Sequence, residues 1–469
     1  MLFNSLHFFY FLPIVFILYY FIPQKYRWVL IFIASCYFYM AFVPKYILIL
    51  FLIILIDYFS GIKIENSKSK KNKQIILTIS LICNIALLAF FKYFNFINQN
   101  IEDLFLLFGS QIKPVNLNII LPIGLSFHTF QSMSYTIEVY RGNQKAEKHL
   151  GYFANYVLFF PQMVAGPIEK YATLGIELRK NIIPNYDNFA NGFRLILFGL
   201  FIKMTIADNI APIVNQIYDN PSQYNSFTIF NAILLFSIQI YADFFGYSTI
   251  AIGTAKLLGI NLIDNFKTPY ITKSIVEFWK GWHISLTTWF REYLFIPLGG
   301  SRVNNLRWII NILIIFLVSG LWHGASWTFV IWGFLHGLFY LLERGATKLF
   351  KIKLPTNFGI VSCLLIIKNY ILVSLIWVFF RAESFDKIKL IFTSLYNNTN
   401  IKGNTVNYGY SLIFAITIIL IDVLLINNRF DNFIQNKSTL FRWGCYTILL
   451  FCLLTLSGIE NLPFIYFQF

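Results

Sequence analysis

Charge is the first thing this chain lacks. Only 12% of its 469 residues are Asp, Glu, Lys or Arg, about half of the roughly 25% that a water-soluble domain carries. A surface so poor in charge cannot be solvated all round, which excludes a soluble enzyme and a disordered chain. Cysteine is scarce too. Cys36, Cys83, Cys363, Cys445 and Cys452 are odd in number, widely spaced and mostly inside apolar runs. They read as small hydrophobes and exclude a disulfide scaffold. The six histidines show no zinc-ligand spacing, so no metal site is expected. No Gly-rich phosphate loop, Gly-x-Ser-x-Gly elbow or Walker motif occurs. The absence of an internal repeat speaks against an inverted-repeat transporter. The first apolar stretch lacks a basic leader and a small-x-small cleavage site, so it reads as a retained helix.

What is present is apolar surface: 57% hydrophobic residues, 19% of all residues being aromatic. Apolar runs recur from end to end with no linker. The expected fold is therefore a single all-α polytopic membrane domain over residues 1–469. About eleven transmembrane helices are read at Leu6–Ile22, Trp28–Phe42, Tyr46–Tyr58, Ile75–Phe91, Phe193–Ile210, Phe227–Phe244, Trp308–Leu321, Trp327–Leu342, Ile360–Phe380, Ser411–Ile426 and Phe441–Leu456. Shorter apolar pieces lie at Ile119–Val139 and Tyr152–Val164. Breaks at Gly and Pro imply re-entrant and interfacial helices around a central cavity, because irregular backbone at membrane depth needs protein or water to cover it.

The lysines of Lys63–Lys73 place that loop in the cytoplasm. Two spans earlier, Lys25 and Arg27 fall on the same side, which puts the N-terminus outside. The net charge of +16 fits a cytoplasmic rim meeting membrane lipids and a phosphate-bearing cosubstrate, with no nucleic acid implied. Residues 264–307 are expected to form an amphipathic basic segment lying in the interface on that cytoplasmic face. In it Ile275, Trp279, Trp282, Leu286, Trp289 and Tyr293 recur at helical spacing, while Lys280, Thr287 and Arg291 fall on another face. The run Ile296-Pro-Leu-Gly-Gly-Ser-Arg302 then makes a tight turn.

Polar residues inside apolar spans are functional suspects. His323 leads them, in Ser319-Gly-Leu-Trp-His-Gly-Ala-Ser-Trp327. A neutral imidazole is a competent general base, and Gly320 and Gly324 would let backbone or a ligand come close. An isolated histidine in such a run is nonetheless more often a packing residue. His283, in Trp282-His-Ile-Ser-Leu286, is a second candidate. His336 follows His323 by 13 positions, about 20 Å along a continuous helix, and reads as structural. His128, His149 and His7 show no partner pattern. Asp243, Lys203 and Asp208 read as structural, with an ion relay or a substrate contact as the alternatives.

Several runs together resemble the membrane-bound O-acyltransferase family, in its bacterial alginate and peptidoglycan O-acetylation branch. They are Leu121–Gln131, Tyr135–Gly142, Phe160–Pro167, Glu277-Phe-Trp-Lys-Gly-Trp-His-Ile-Ser285, Trp289–Arg302, Gly320-Leu-Trp-His-Gly-Ala325, Trp377–Glu383 and Pro463–Phe469. The Trp-His-Ile-Ser and Leu-Trp-His-Gly pair, in this order, is the specific part. Asp243-Phe-Phe-Gly-Tyr-Ser-Thr249 departs from the family's run at two polar positions, and His128 stands where Tyr is often found.

The resemblance implies an acyltransferase, with His323 and His283, the family's two signature histidines, as catalytic residues. Substrate contacts are expected at Trp282, Trp322, Lys280, Arg291, Arg302 and Asp243. It implies no permanently bound cofactor, acetyl-CoA as cosubstrate, and an extracytoplasmic esterase-like partner that modifies a polysaccharide acceptor. The setting is the bacterial inner membrane. D-alanyl transfer to teichoic acid is the alternative within the same chemistry. A lipid-linked sugar transporter, or a structural scaffold, is the alternative outside it.

Overall fold

The computed structural model describes residues 1–109, 117, 121–351, 354–355, 357–399, 404, 406–458 and 462–466, with backbone alone at 400 and 467. All of its regular structure is helical: α1 Leu6–Phe21, α2 Gln24–Met40, α3 Ile47–Asn66, α4 Lys70–Leu88, α5 Phe94–Leu107, α6 Leu125–Arg141, α7 Leu150–Leu158, α8 Tyr186–Leu200, α9 Asp208–Asp219, α10 Ser226–Leu257, α11 Ile275–Gly281, α12 Ile284–Phe290, α13 Asn305–His323, α14 Trp327–Leu349, α15 Ile360–Arg381, α16 Phe385–Asn397, α17 Ser411–Leu424, α18 Phe430–Gln435 and α19 Thr439–Leu456. Widened π-helical turns at Ala89–Tyr93 and Phe201–Ala207 join α4 to α5 and α8 to α9.

Each of the eleven expected spans falls on a helix, yet the number long and apolar enough to cross a bilayer is seven among the described residues: Pro44–Asn66, Lys70–Leu107, Tyr186–Asp219, Ser226–Leu257, Asn305–His323, Ile360–Arg381 and Thr439–Leu456. Leu6–Phe21 and Ser411–Leu424 are apolar but shorter. The count of eleven is thus not confirmed. α2 has 17 residues, and α14 mixes His, Thr and Gly into its apolar positions. The piece read at Ile119–Val139 becomes α6; its residues 119–120 lie outside the described residues, as do Gln468 and Phe469 of the C-terminal run.

Hydrogen bonds gather the basic loops on one face. Arg27 donates to the Ile182 carbonyl at 2.7 Å, Arg179 pairs with Glu147 and Lys148 with Glu65. The helix ends at 24–27 and 63–66 therefore share a side, as the charge pattern requires.

Two glycine-mediated approaches set the middle of the molecule. α8 and α10 touch backbone to backbone: a Cβ on Gly199 would sit 2.7 Å from the Gly246 carbonyl oxygen. The α13–α14 hairpin closes the same way, where a Cβ on Gly320 would lie 2.2 Å from the Phe329 carbonyl oxygen and one on Gly333 2.1 Å from that of Phe316. Small residues that let helices meet this closely are the usual glue where lipid supplies no hydrophobic drive. Gly320 thus admits a neighbouring helix, not a ligand.

Candidate active site

The apolar stripe of residues 275–293 does not lie flat on a membrane surface. Ile275, Phe278, Trp279, Trp282, Leu286, Trp289 and Tyr293 are all buried in protein, and the helix breaks at its centre. Ser274 starts α11 by accepting from the Glu277 N–H at 3.1 Å, while the Glu277 carboxylate accepts from the Lys273 N–H at 2.9 Å, a reciprocal cap. α11 stops at Gly281, whose carbonyl accepts from the Lys267 N–H at 2.9 Å; a Cβ there would be 2.4 Å from the Lys267 carbonyl oxygen. Ile284 N–H donates to the Asn265 carbonyl at 2.9 Å. Pinned on both sides, His283 takes φ 44°, ψ 55°. A left-handed non-glycine residue of this kind costs on the order of 1–3 kcal/mol and clusters at functional sites.

His323 is the last residue of α13, and Gly324 leaves the helix in extended conformation. Its imidazole is enclosed by Trp322, Trp332, Phe380 and Tyr466, with ring centroids at 4.9, 5.1, 5.3 and 5.6 Å. His283 packs on Phe244 at 4.8 Å and Phe127 at 6.0 Å, and reaches Trp322 at 6.2 Å. The Trp322 indole therefore touches both histidines.

His336 joins the cluster, against the 20 Å separation expected for a continuous helix. The turn at Gly324–Ser326 folds α14 back along α13, and His336 meets the other side of Trp332 at 4.9 Å and Trp279 at 5.0 Å.

This region lacks hydrogen bonds where the chemistry of its groups calls for them. Nδ1 of His323 and both ring nitrogens of His336 are buried without a partner, and those of His283 find none beyond its own main chain. The indole N–H groups of Trp279, Trp322 and Trp332 are likewise buried and unpaired. Elsewhere the same group is satisfied: Trp289 donates to the Phe130 carbonyl at 2.9 Å and Trp377 to the Tyr270 hydroxyl at 3.1 Å. Buried polar groups are normally paired, so a cluster of exceptions asks for an explanation.

A cavity of about 1240 Å³ runs between α11, α12, α13 and α14, larger than the roughly 300–1,000 Å³ of most small-molecule sites. Exposed Lys280, Arg291, Arg344 and Lys348 stand around it. Trp279, Ile312 and Phe316 line its apolar wall. It reaches Ser319, one helical turn before His323. A second cavity of about 280 Å³ lies beyond Ile284, beside Asp264, Asp422 and Arg429.

Of the expected substrate contacts, Lys280 and Arg291 border the large cavity and Trp322 touches the histidines. Trp282 does neither: it is fully buried, stacked on Phe278 at 5.5 Å and against Trp377 at 5.0 Å. Arg302 points outward from the turn, though Ser301 and Val303 beside it line the cavity. Asp243 is bound elsewhere. It pairs with Lys203 at 2.5 Å and accepts from the Ile465 N–H at 2.7 Å, while Lys203 also holds Asp208 at 2.6 Å.

The expected central cavity does not open at His323, which is 5% exposed: Phe380 and Tyr466 close on its imidazole. Two neighbours escaped the sequence reading. Tyr466, whose hydroxyl is buried and unpaired, comes from the far end of the chain. Lys92, at the margin of an apolar run, donates from Nζ to the carbonyls of Trp322 at 2.5 Å and His323 at 2.9 Å. A lysine there was the one available signal.

The family model for membrane-bound O-acyltransferases matches residues 144–382, a span holding His283, His323 and the large cavity. The chain belongs to this family. A probable alginate O-acetylase of Azotobacter vinelandii is 35% identical over 398 residues, covering 84% of this chain and 77% of that protein. A peptidoglycan O-acetyltransferase of Helicobacter pylori is 36% identical over 424 residues, 82% of this chain and 78% of that protein. A teichoic acid D-alanyltransferase of Streptococcus thermophilus is 29% identical over 236 residues, 46% of this chain and 55% of that protein. The protein is a multi-pass membrane acyltransferase. No group of three or more His, Cys, Asp and Glu able to hold a metal ion occurs among the described residues.

Proposed function

We propose that this acyltransferase sits in the bacterial cytoplasmic membrane and passes acetyl groups from cytosolic acetyl-CoA to hydroxyls destined for a cell-envelope polysaccharide. The observation that carries the reading is the unpaired His323 imidazole one helical turn from the inner end of a cavity with a basic mouth. Lys280, Arg291, Arg344 and Lys348 attract the CoA phosphates. The apolar wall takes the pantetheine arm and brings the thioester carbon toward His323.

His323 accepts the proton of the acceptor hydroxyl as its oxygen attacks the thioester carbonyl. The developing oxyanion is met by the unpaired indole N–H groups of Trp322 and Trp332. The attack forms the new C–O bond; collapse of the oxyanion re-forms the carbonyl, breaks the C–S bond and expels the CoA thiolate, which takes the proton from the imidazolium. His283, held in its strained conformation, fixes Trp322 from the other side. The acceptor enters where Phe380 and Tyr466 close the ring, so these side chains move to admit it. An esterase-like protein outside the membrane is the partner that carries the acetyl group to the sugar.

Alginate and peptidoglycan are the polymers in the names of the relatives that cover most of the chain. The D-alanyltransferases cover less than half of it, and nothing in the site favours their substrate. An ion relay for transport through Lys203, Asp208 and Asp243 is disfavoured by their closed pairing.

The test supplies radiolabelled acetyl-CoA to membranes holding the purified protein, with and without an acceptor protein. Release of CoA that disappears in His323→Ala supports the reading. Release unchanged in that variant removes His323 from the mechanism.

A further inference from the structure

The last turn of α13 presents carbonyls with no partner inside the helix, and His323 ends that turn. Three of them are met by one neighbouring segment. The Tyr93 hydroxyl donates to Leu321 at 2.6 Å, and Lys92 Nζ donates to Trp322 at 2.5 Å and His323 at 2.9 Å. Lys92 and Tyr93 are the last two residues of the π-helical turn Ala89–Tyr93. Turns of this kind add a residue to a helix and recur at functional sites.

Lys92 is partly buried at the end of the apolar run Ile75–Phe91, and among the described residues no carboxylate pairs with it. Its ammonium also lies 5.9 Å from the Trp322 ring. An uncompensated cation there is expensive unless it does something. What it meets is the negative end of a helix, where a cation is favoured, and the main chain of the two residues that contact the proposed reaction centre.

We propose that Lys92 is a positioning residue for catalysis: it clamps the carbonyls of Trp322 and His323 and so fixes where the base and the neighbouring indole stand. Lys92 touches neither donor nor acceptor. Its effect passes through the imidazole, so the assignment rests on His323 as the general base.

Steady-state kinetics with acetyl-CoA, expressed per monodisperse protein in detergent, test it. Misplacing a reacting group by about 1 Å can cost on the order of 100-fold. Lys92→Met is therefore expected to lower kcat about 10- to 100-fold, with KM for acetyl-CoA within about twofold. Lys92→Arg, which keeps charged donors on the same carbonyls, is expected to recover most of that loss. In a His323→Ala background, Lys92→Met is expected to leave the residual rate unchanged, since the group it positions is gone. A normal kcat per folded molecule in Lys92→Met overturns the clamp, as does an equal loss in both backgrounds or no recovery with arginine. The two claims fail separately. Full activity in His323→Ala defeats the base, whereas an inactive His323→Ala beside a fully active Lys92→Met defeats only the clamp.

Discussion

Two buried polar regions of this molecule are built on opposite plans. Around Asp57 both carboxylate oxygens are satisfied: Ser80, Ser132 at 2.5 Å, Thr136 at 3.0 Å and Asn84 at 3.0 Å all donate to them, tying α3 to α4 and α6. Lys203 is shared in the same manner between Asp208 and Asp243. Around His323 the donors and acceptors stand in aromatic surroundings without partners. Satisfied polar groups in a low-dielectric interior hold elements in register. Unsatisfied ones are tolerated where a substrate completes them, and under the proposed function the contrast divides scaffold from chemistry.

The comparison can be broken by substitution. The largest effect is expected at His323→Ala: general-base help contributes roughly 10²–10⁴ in rate, so turnover should fall by that factor while thermal unfolding in detergent stays within about 2 °C of the parent. At Lys203→Met the pattern should reverse. Leaving two buried carboxylates without their cation costs about 3–5 kcal/mol, seen as a lowered unfolding midpoint and poor recovery from membranes. Trp332→Phe removes one unpaired N–H and keeps most of the ring. A loss of kcat on the order of 10²-fold, with unchanged stability, would mark it as an oxyanion donor; a normal kcat would return it to packing. Asp57→Asn should lower stability by about 1–3 kcal/mol with normal kcat per folded molecule. The smallest effect is expected from Lys280→Ala and Arg291→Ala. Each should raise KM for acetyl-CoA severalfold at low salt, in line with the roughly 0.2–1 kcal/mol of exposed ion pairs, and the difference should fade as salt is added.

Much of the fold was legible because apolar runs dictate helices wherever water is absent. The membrane class and the shared side of residues 24–27 and 63–66 followed from composition and charge, and two short motifs singled out His323 and His283, which the fold brings onto one indole. What was not legible depended on where helices bend. Spacing made the Trp282 stripe one continuous helix, but the contacts of Gly281 and Ile284 break it at His283 and turn Trp282 into the core. The same assumption set His336 far from His323, although the turn at Gly324–Ser326 folds them onto one indole. Lys92 and Tyr466 reach the site through a widened turn and through the chain's far end, and neither leaves a periodicity to read. The resemblance made Asp243 a substrate contact, but its carboxylate is held by Lys203 and the Ile465 N–H, in keeping with the structural reading of its own run.

The most direct measurement is a structure with a non-transferable acetyl-CoA analogue bound. The account requires the adenosine phosphates among Lys280, Arg291, Arg344 and Lys348, with the thioester carbon close enough to His323 for an acceptor oxygen to bridge them at about 3–3.5 Å from each. An analogue lodged instead beside Asp264 and Asp422, or one whose sulfur stops short of Ser319, would contradict it.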